Sequence, residues 1–354
     1  MHMADALLSP AVGGAFWAGT VASIGFASRR LKEKIDDRMI PLMGVLGAFI
    51  FAAQMINFTI PGTGSSGHIG GGMILTIILG PSAAFLTIAS VLTVQGLFFA
   101  DGGLLALGCN IWNMGIYPCF VVYPLLYRPL AGDGRNARRL LVASVVSVVV
   151  SLQLGAISVV IETLLSGKSE LPFGTFVLLM QPIHLAIGAV EGFITAAVVR
   201  YVQSMRPELL ETAASSRPLG QGISMKKVLI AFAAATVVSG GILSWFASTH
   251  PDGLEWSLEK MTGKTELPGQ GQGVEKTIKD IQDKTVFMPD YNFRSTEGEK
   301  AAGKDAASWP SVDTGTSFAG LMGAAVVLLV VVILGFGIRA FRNRRGSTNR
   351  SLIL

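Results

Sequence analysis

Long apolar runs constrain this chain more than any other feature of its sequence. Eight runs stand at 10–28, 39–60, 73–99, 104–127, 140–165, 174–203, 227–248 and 317–341. Each is near or above the roughly 18–20 residues that an α-helix needs to cross a bilayer. The strands of an outer-membrane barrel would be about ten residues long and would alternate in polarity, which these runs do not. The sequence therefore predicts an all-α, polytopic membrane protein.

The composition and the charge agree with that class. Hydrophobic residues make up 51% of the chain and charged residues 14%, against about 25% charged residues in a soluble domain. The net charge of +5 arises in short loops beside the apolar runs, which is the pattern of membrane topology. We therefore expect contact with membrane lipid and no nucleic-acid partner. Cys109 and Cys119 share one apolar run, so buried hydrophobic roles are favoured over a disulfide or a metal site.

Basic loops set the direction of the helices. Five Lys and Arg residues lie within 29–38 and none precedes the first run, so this loop is predicted to be cytoplasmic. We expect the first helix to stay attached, with the N-terminus outside. The basic loop 128–139 is also predicted to be cytoplasmic, which requires an odd number of crossings after residue 72. The run 73–99 should therefore split at Gly80-Pro81, with at least one piece short, re-entrant or buried.

This topology predicts two parts. Residues 1–205 form a seven-helix bundle, and 206–226 form a cytoplasmic linker rich in Ser, Ala, Pro and Gly. Residues 227–345 form a hairpin of two helices, 227–248 and 317–341, joined by a polar outer head at 249–316. That head holds twelve of the 23 acidic residues, and 346–354 form a cytoplasmic tail. No internal repeat is visible, so an inverted-repeat carrier is not supported.

The second residue offers a metal site. The α-amine of Met1, the backbone nitrogen of residue 2 and the imidazole of His2 lie close enough to chelate one ion in fused rings. His68, in the loop PGTGSSGHIGGG, is predicted on the same outer face and would supply a fourth nitrogen. Square-planar nitrogen coordination suits Ni(II) or Cu(II). The alternative is a solvated terminal histidine beside a glycine-rich connector.

Five polar residues near the outer end of the core are candidates to orient these ligands. They are Asp5, Gln95, Asp101, Asn110 and Asn113. Residues of this kind commonly hold metal ligands in place through hydrogen bonds. Helix capping or hydrogen bonding between helices explains each of them equally well.

Two ionisable residues fall inside one predicted membrane helix. His184 and Glu191 are seven residues apart and so share one helix face. Intramembrane ionisable groups are functional candidates, and a hydrogen bond that fixes helix packing is the alternative. For His250, in HPDGLEWS, a turn without a metal role is favoured.

The sequence does not predict an enzyme. Gly167-Lys168-Ser169 and Gly263-Lys264-Thr265 resemble the end of a phosphate-binding loop, but Glu162 and Leu258 stand where that motif needs glycine. No HExxH, CxxC or Ser-His-Asp order is present.

Four motifs together resemble a known family. They are MH with LSP at 8–10, SGHIGGG, QGLFFADGGLLALGCNIWNM at 95–114 and HLAIGAVEG at 184–192. Over about residues 1–205 the chain resembles the M component, the substrate-binding S component of cobalt/nickel energy-coupling-factor transporters. HPDGLEWS with the closing helix is similar to the small N component of the same systems, here fused to the C-terminus. Residues Met3-Ala4-Asp5-Ala6 depart from the family's usual MHIPDG or MHIMEG start.

The resemblance implies a function and a set of partners. The ion would be held by the Met1 amine, the backbone and ring nitrogens of His2, and His68. A transmembrane T component and two cytoplasmic ATPases would drive uptake, and no resident cofactor is expected. The cargo would be Ni²⁺, with Co²⁺ second, and the chain would lie in a bacterial or archaeal inner membrane with its C-terminus in the cytoplasm. A self-sufficient metal carrier or channel and a membrane-anchored sensor or assembly protein are the alternatives.

Overall fold

A computed structural model describes residues 2–134, 136–168, 171–215, 224–269, 272–294 and 309–350, with side chains to residue 342. The helices are α1 (Pro10–Lys32), α2 (Met39–Gln54), α3 (Gly72–Leu79), α4 (Pro81–Val94), α5 (Leu107–Ile111), α6 (Arg128–Ala131), α7 (Ala137–Ser166), α8 (Phe173–Met205), α9 (Pro207–Ser215), α10 (Lys226–Gly241), α11 (Gly253–Thr262), α12 (Gly273–Thr285) and α13 (Thr314–Arg350). Two short antiparallel strands, β1 (Phe58–Ile60) and β2 (Ser65–Gly67), form a hairpin before α3.

The predicted all-α membrane fold is confirmed. Five helical stretches in the described residues are long and apolar enough to cross a bilayer; they are Pro10–Lys32, Pro81–Phe99, Ala137–Ser166, Phe173–Met205 and Thr314–Arg342. Helix α2 is apolar but shorter. The β-hairpin was not predicted, because its residues lie at the end of one apolar run and in a glycine-rich loop.

The predicted split of the third run is also confirmed. Helix α3 ends at Leu79, Gly80 adopts a left-handed φ of 80°, and α4 begins at Pro81. Pro81 occupies the first turn of α4, where its missing N–H costs no hydrogen bond. All eight residues of α3 are buried. A helix of this length is about 12 Å long, so it cannot cross the bilayer alone.

The short helix α3 leaves the loop that precedes it inside the bundle. Gly80 lies against Ala213 of α9 and shares a cavity with Arg30 and Lys34, at the basic end of the molecule. Because α3 is so short, the glycine-rich loop at its start reaches the middle of the bundle, where it meets Glu191 of α8.

An irregular helix packs against α3. Beyond α5 the backbone widens into a π-helical segment, Trp112–Tyr127, which contains Pro118 and Pro124, and α6 follows it. Proline and π-turns are common causes of such irregularity. Gly72 allows the close approach: a Cβ there would stand 2.6 Å from the Met114 carbonyl oxygen and from Pro118 Cγ.

The C-terminal hairpin is part of the bundle. Gly44 of α2 faces Val332 and Leu328 of α13, and Gly240 of α10 faces Gly320 of α13. Absent side chains allow helices to approach closely in a membrane.

Several predicted boundaries differ. Helix α10 stops at Gly241 and is followed by a 3₁₀ turn, Leu243–Phe246, so the predicted helix 227–248 was too long. Helix α13 runs past residue 341 through the predicted tail to Arg350. The predicted linker contains α9, which buries Leu209 and Ala213. Residues 216–223 and 351–354 lie outside the described residues.

Helices α7 and α8 pack through two glycines. A Cβ at Gly192 would stand 2.7 Å from Val145 Cα, and a Cβ at Gly188 would stand 3.1 Å from Val149 Cα. Since these neighbours are backbone atoms, a side chain can be admitted only by moving a helix.

We expect Gly192→Ala to lower the free energy of unfolding by about 1–3 kcal/mol, the usual cost of overpacking. Gly174→Ala on the same helix is the matched control, because nothing lies within 4 Å of its Cβ position. Thermal unfolding of the purified chain in detergent measures both. Equal stability of the two variants would contradict the close helix contact.

Candidate metal site

The amino-terminal segment is fixed against the loop that precedes α5. The backbone N–H of Met3 donates to Asn110 Oδ1 at 2.8 Å, and the N–H of Gly103 donates to the Met3 carbonyl at 3.0 Å. The N–H of Ala106 donates to Asp5 Oδ1 at 2.9 Å. The predicted residues Asp5 and Asn110 therefore position the start of the chain.

The rings of His2 and His68 meet in the structure. Their centroids are 5.3 Å apart, and the ring planes differ by 15°. His2 is 66 positions from His68 in the sequence, and the sequence predicted only that the two would share a face. Met1, the other predicted ligand residue, lies outside the described residues.

Buried polar side chains hold the loop that carries His68. Glu191 accepts hydrogen bonds from the N–H groups of Gly70 and Gly71, both at 2.8 Å. Gln54 Nε2 donates to the Gly70 carbonyl at 2.9 Å, and Gln95 Nε2 donates to Gln54 Oε1 at 2.9 Å. Glu191 and Gln95 therefore anchor this loop.

Both imidazoles are neutral near physiological pH. Burial lowers the pKa of His2 to about 3 and that of His68 to about 4. His68 Nδ1 lies 3.0 Å from the Ile69 carbonyl, so it carries the proton and leaves the lone pair on Nε2. The neutral ring is the form that binds metal ions.

Asp101 contacts His2 directly. Its Oδ1 lies 3.1 Å from His2 Nδ1, and its other oxygen accepts a hydrogen bond from the Tyr291 hydroxyl. Burial raises the pKa of Asp101. Tyr291 in turn stacks on Phe99, with centroids 5.0 Å apart. The predicted orienting role of Asp101 thus has a partner in the outer head that the sequence did not indicate.

The HPDGLEWS segment lies on the hairpin next to the histidines. Ser66 Oγ donates to the His250 carbonyl and the Ser66 N–H donates to the Pro251 carbonyl, both at 2.8 Å. Asp252 caps α11 and forms a reciprocal capping box with Glu255. Only the backbone of His250 takes part in these contacts with the hairpin.

His184 lies below this segment. Its Nδ1 is 2.8 Å from the Met180 carbonyl, which is a contact within its own helix. A Cβ at Gly253 would stand 2.9 Å from His184 Cε1, so glycine is needed there. His184 lines a cavity of about 20 Å³ together with His68 and Asp252.

Asn113 lies apart from the histidine pair. Its Nδ2 donates to Glu162 Oε2 at 3.0 Å, and its side chain lines a second cavity, with Glu191. Gly70 and Gly72 of the His68 loop line the same cavity, so Asn113 adjoins the end of that loop.

An acidic vestibule opens over the site. This cavity of about 660 Å³ is lined by His2 and His68 and by residues of the outer head. Eight carboxylates line it with one lysine, Lys279; the acidic residues are Asp5, Asp101, Asp252, Glu255, Glu266, Glu275, Asp283 and Asp290. A cleft of one charge sign concentrates ions of the opposite sign.

Side chains alone do not complete a metal site in the part of the chain that the structure describes. No three His, Cys, Asp or Glu residues there converge closely enough to hold an ion. Any site built on the two histidines therefore needs other donors, such as backbone nitrogen.

Comparison with known proteins identifies the family of this chain. Residues 2–209 match the family described as "Cobalt uptake substrate-specific transmembrane region". The chain belongs to this family. Residues 226–340 match the PDGLE domain, so the predicted resemblance is confirmed for both parts of the chain.

Relatives carry both parts in one chain. The chain is 37% identical over 241 residues to a putative fused nickel transport protein NikMN of Archaeoglobus fulgidus, covering 67% of this chain and 78% of that one. It is 30% identical over 295 residues to the fused nickel transport protein NikMN of Rhodobacter capsulatus, covering 77% and 81%. A solved transition metal transporter superposes with a TM-score of 0.52 at 30% identity, covering 61% of this chain and all of that one.

The sequence was interpreted correctly at the two cysteines and incompletely around the site. Cys109 and Cys119 are buried free thiols, as the sequence favoured. Gln54, Ser66, Asp252 and Tyr291 were missed. Ser66 lies beside His68 in a small-residue loop, and Asp252 lies in HPDGLEWS, which was interpreted as a turn and as a resemblance to the N component but not as part of the site.

We expect Glu191→Gln to loosen the loop around His68. The carboxylate accepts two N–H bonds, and an amide can replace only one of them, a loss of about 2 kcal/mol. A loss of that size should make hydrogen exchange of the backbone amides in residues 61–72 roughly thirtyfold faster. Glu162→Gln is the matched control, because its carboxylate bonds Asn113 and does not contact the loop. Unchanged exchange in Glu191→Gln would contradict the anchoring role.

Proposed function

We propose that this chain is the substrate-capture component of an ATP-driven energy-coupling-factor transporter that imports Ni²⁺, with Co²⁺ as the second candidate. The ion would be bound by the α-amine of Met1, the backbone nitrogen and imidazole of His2, and the imidazole of His68. The observation that carries this proposal is the contact of two imidazole rings, one of them at residue 2, beneath an acidic vestibule.

The proposed donor set includes backbone nitrogen because the described side chains alone do not supply enough donors for a metal ion. Two imidazoles are too few to hold a divalent ion tightly, and although Asp101 contacts His2, no group of three His, Cys, Asp or Glu side chains among the described residues could hold an ion. Backbone nitrogen at residue 2 and the adjoining amine are the donors nearest to the His2 ring along the chain. Four nitrogens in a plane favour Ni(II), and divalent nickel binds such sites more tightly than divalent cobalt.

Loading requires a rearrangement at His2. The ring atom that can close a chelate with its own backbone nitrogen is Nδ1, and Nδ1 contacts Asp101. An incoming ion would replace this contact. Asp101 then lies beside the metal, where it offsets positive charge and keeps its hydrogen bond from Tyr291.

Energy for uptake would come from other subunits. The chain has no phosphate-binding loop, and its curated relatives carry the names of transport proteins. We propose a transmembrane T component and cytoplasmic ATPases as partners, with the chain in the cytoplasmic membrane of a bacterium or archaeon. The clustering of Arg30, Lys34 and α9 at the end remote from His2 supports a cytoplasmic position for that end.

The test is uptake of radioactive nickel and cobalt by cells that express the full chain with and without its T and ATPase partners. Wild type is compared with His2→Ala and His68→Ala. Each change removes an imidazole donor, so affinity should fall by at least about a hundredfold, more than the loss of a supporting hydrogen bond. Uptake at low metal concentration should be lost in both.

His250→Ala is the matched control, since only the backbone of that residue contacts the hairpin. Full uptake in both site variants would overturn the metal site. Full uptake by the wild type without partners would overturn ATP-driven coupling and favour a self-sufficient carrier or channel. Metal binding with no uptake in either case would favour a sensor or assembly protein.

A further inference from the structure

A turn from the C-terminal part of the chain lies against the histidine site. Ser66, in the same loop as His68, donates its side-chain O–H to the His250 carbonyl and its backbone N–H to the Pro251 carbonyl, both at 2.8 Å. Asp252 follows Pro251 directly. These contacts bring Asp252, which belongs to the PDGLE domain, to the loop that carries His68.

Asp252 borders both spaces that adjoin the two histidines. One is the cavity of about 20 Å³ beside His68 and His184, and the other is the acidic vestibule, which His2 and His68 also line. Among the described carboxylates of the vestibule, Asp252 is the one that also borders the cavity beside His68. The two spaces therefore share His68 and Asp252 as walls.

Capping of α11 does not account for the charge of Asp252. The N–H groups of Leu254 and Glu255 donate to Asp252 Oδ1 at 2.8 and 2.9 Å, so the cap uses one of the two carboxylate oxygens. The reciprocal bond runs from the Asp252 N–H to Glu255 Oε2 at 2.9 Å. Asn, Asp and Ser cap helices about equally well. A neutral side chain would therefore serve the helix as well as the carboxylate does.

Close packing against α8 fixes the turn that contains Asp252. A Cβ at Gly253 would stand 2.9 Å from His184 Cε1 and 3.1 Å from Ile183 Cγ2. His184 is held in turn by the Met180 carbonyl, 2.8 Å from its Nδ1. The position of Asp252 is therefore set by the protein before an ion binds.

The charge of Asp252 acts on both histidine rings. Burial lowers the pKa of His2 and of His68, and the Asp252 carboxylate acts on both pKa values in the opposite direction. A carboxylate that favours positive charge at both rings also favours a divalent cation held by them.

We propose that Asp252 takes part in metal capture: the negative charge of its carboxylate stabilises the ion held by His2 and His68, without the carboxylate being a ligand. This inference rests on the proposed function. Amine and imidazole nitrogens are neutral donors, so they leave a positive charge whose burial is costly unless it is balanced. Asp101 lies beside His2, and Asp252 adds a second carboxylate beside His68. The PDGLE domain thus contributes a residue to the metal site of the transmembrane region.

The test measures Ni²⁺ binding by the purified full chain. Asp252→Asn and Asp252→Ser remove the charge but keep a residue that caps α11. Titration calorimetry should show that each variant binds Ni²⁺ about ten- to a hundredfold more weakly than the wild type, the usual cost of losing a supporting group that is not itself a ligand. Thermal unfolding should show that the metal-free variants are as stable as the wild type.

Glu255→Gln is the matched control. It removes a charge of the same sign from the same capping box, but Glu255 lines the vestibule and not the cavity beside His68. Because solvent and salt screen a carboxylate that faces only the open vestibule, the affinity for Ni²⁺ should fall by less than about threefold.

Nickel K-edge absorption distinguishes a stabilising charge from a ligand. Asp252→Asn should keep the four-nitrogen spectrum of the wild type, because the proposed carboxylate lies outside the coordination sphere. An oxygen donor that is present in the wild type and lost in Asp252→Asn would overturn the proposal.

Three further results would also overturn it. They are wild-type affinity in Asp252→Asn and Asp252→Ser, an equal loss of affinity in Glu255→Gln, and a loss of affinity matched by unfolding of both metal-free Asp252 variants. Each of these leaves the proposed function standing as long as the wild type binds Ni²⁺. Failure of the wild type to bind Ni²⁺ would overturn the proposed function and the role of Asp252 with it.

Discussion

Everything at the site depends on the carboxylate of Glu191, which accepts two backbone N–H bonds from Gly70 and Gly71 in the middle of a membrane bundle. Non-helical backbone at that depth is tolerated only where its polar groups have partners. Glu191 and Gln54 supply them, and the short helix α3 provides the room. His68 can therefore lie beside His2 inside the protein, where burial keeps both rings neutral.

Residues of the outer head cover the histidine site. Gln282 of α12 donates to the carbonyls of Gly96 and Gly102, and Tyr291 donates to Asp101. The head therefore contacts the same segment that holds the amino terminus of the chain. In this arrangement the acidic vestibule lies over the two histidines.

Much of this architecture could be predicted from local sequence signals. The lengths of the apolar runs predicted the membrane helices, and the charge of the loops together with Gly80-Pro81 predicted the break between α3 and α4. The position of His2 gave the idea of a terminal chelate. Contacts between distant segments could not be predicted, because Gln54 and Tyr291 belong to no recognised motif. They contact Gly70 and Asp101 only in the folded chain, where α2 and the outer head pack beside these segments. The end of α13 was misplaced because hydropathy does not detect the polar extension of a helix, and the end of α10 because residues 242–248 stay apolar where the α-helix gives way to a 3₁₀ turn.

The coordination of the bound ion tests the central claim most directly. Nickel K-edge X-ray absorption of the purified chain loaded with one equivalent of Ni²⁺ reports both the geometry and the donor atoms. The account predicts four nitrogen donors in a square plane, lost in His2→Ala. A six-coordinate, oxygen-rich spectrum of the wild type, or a spectrum that is unchanged in His2→Ala, would contradict it.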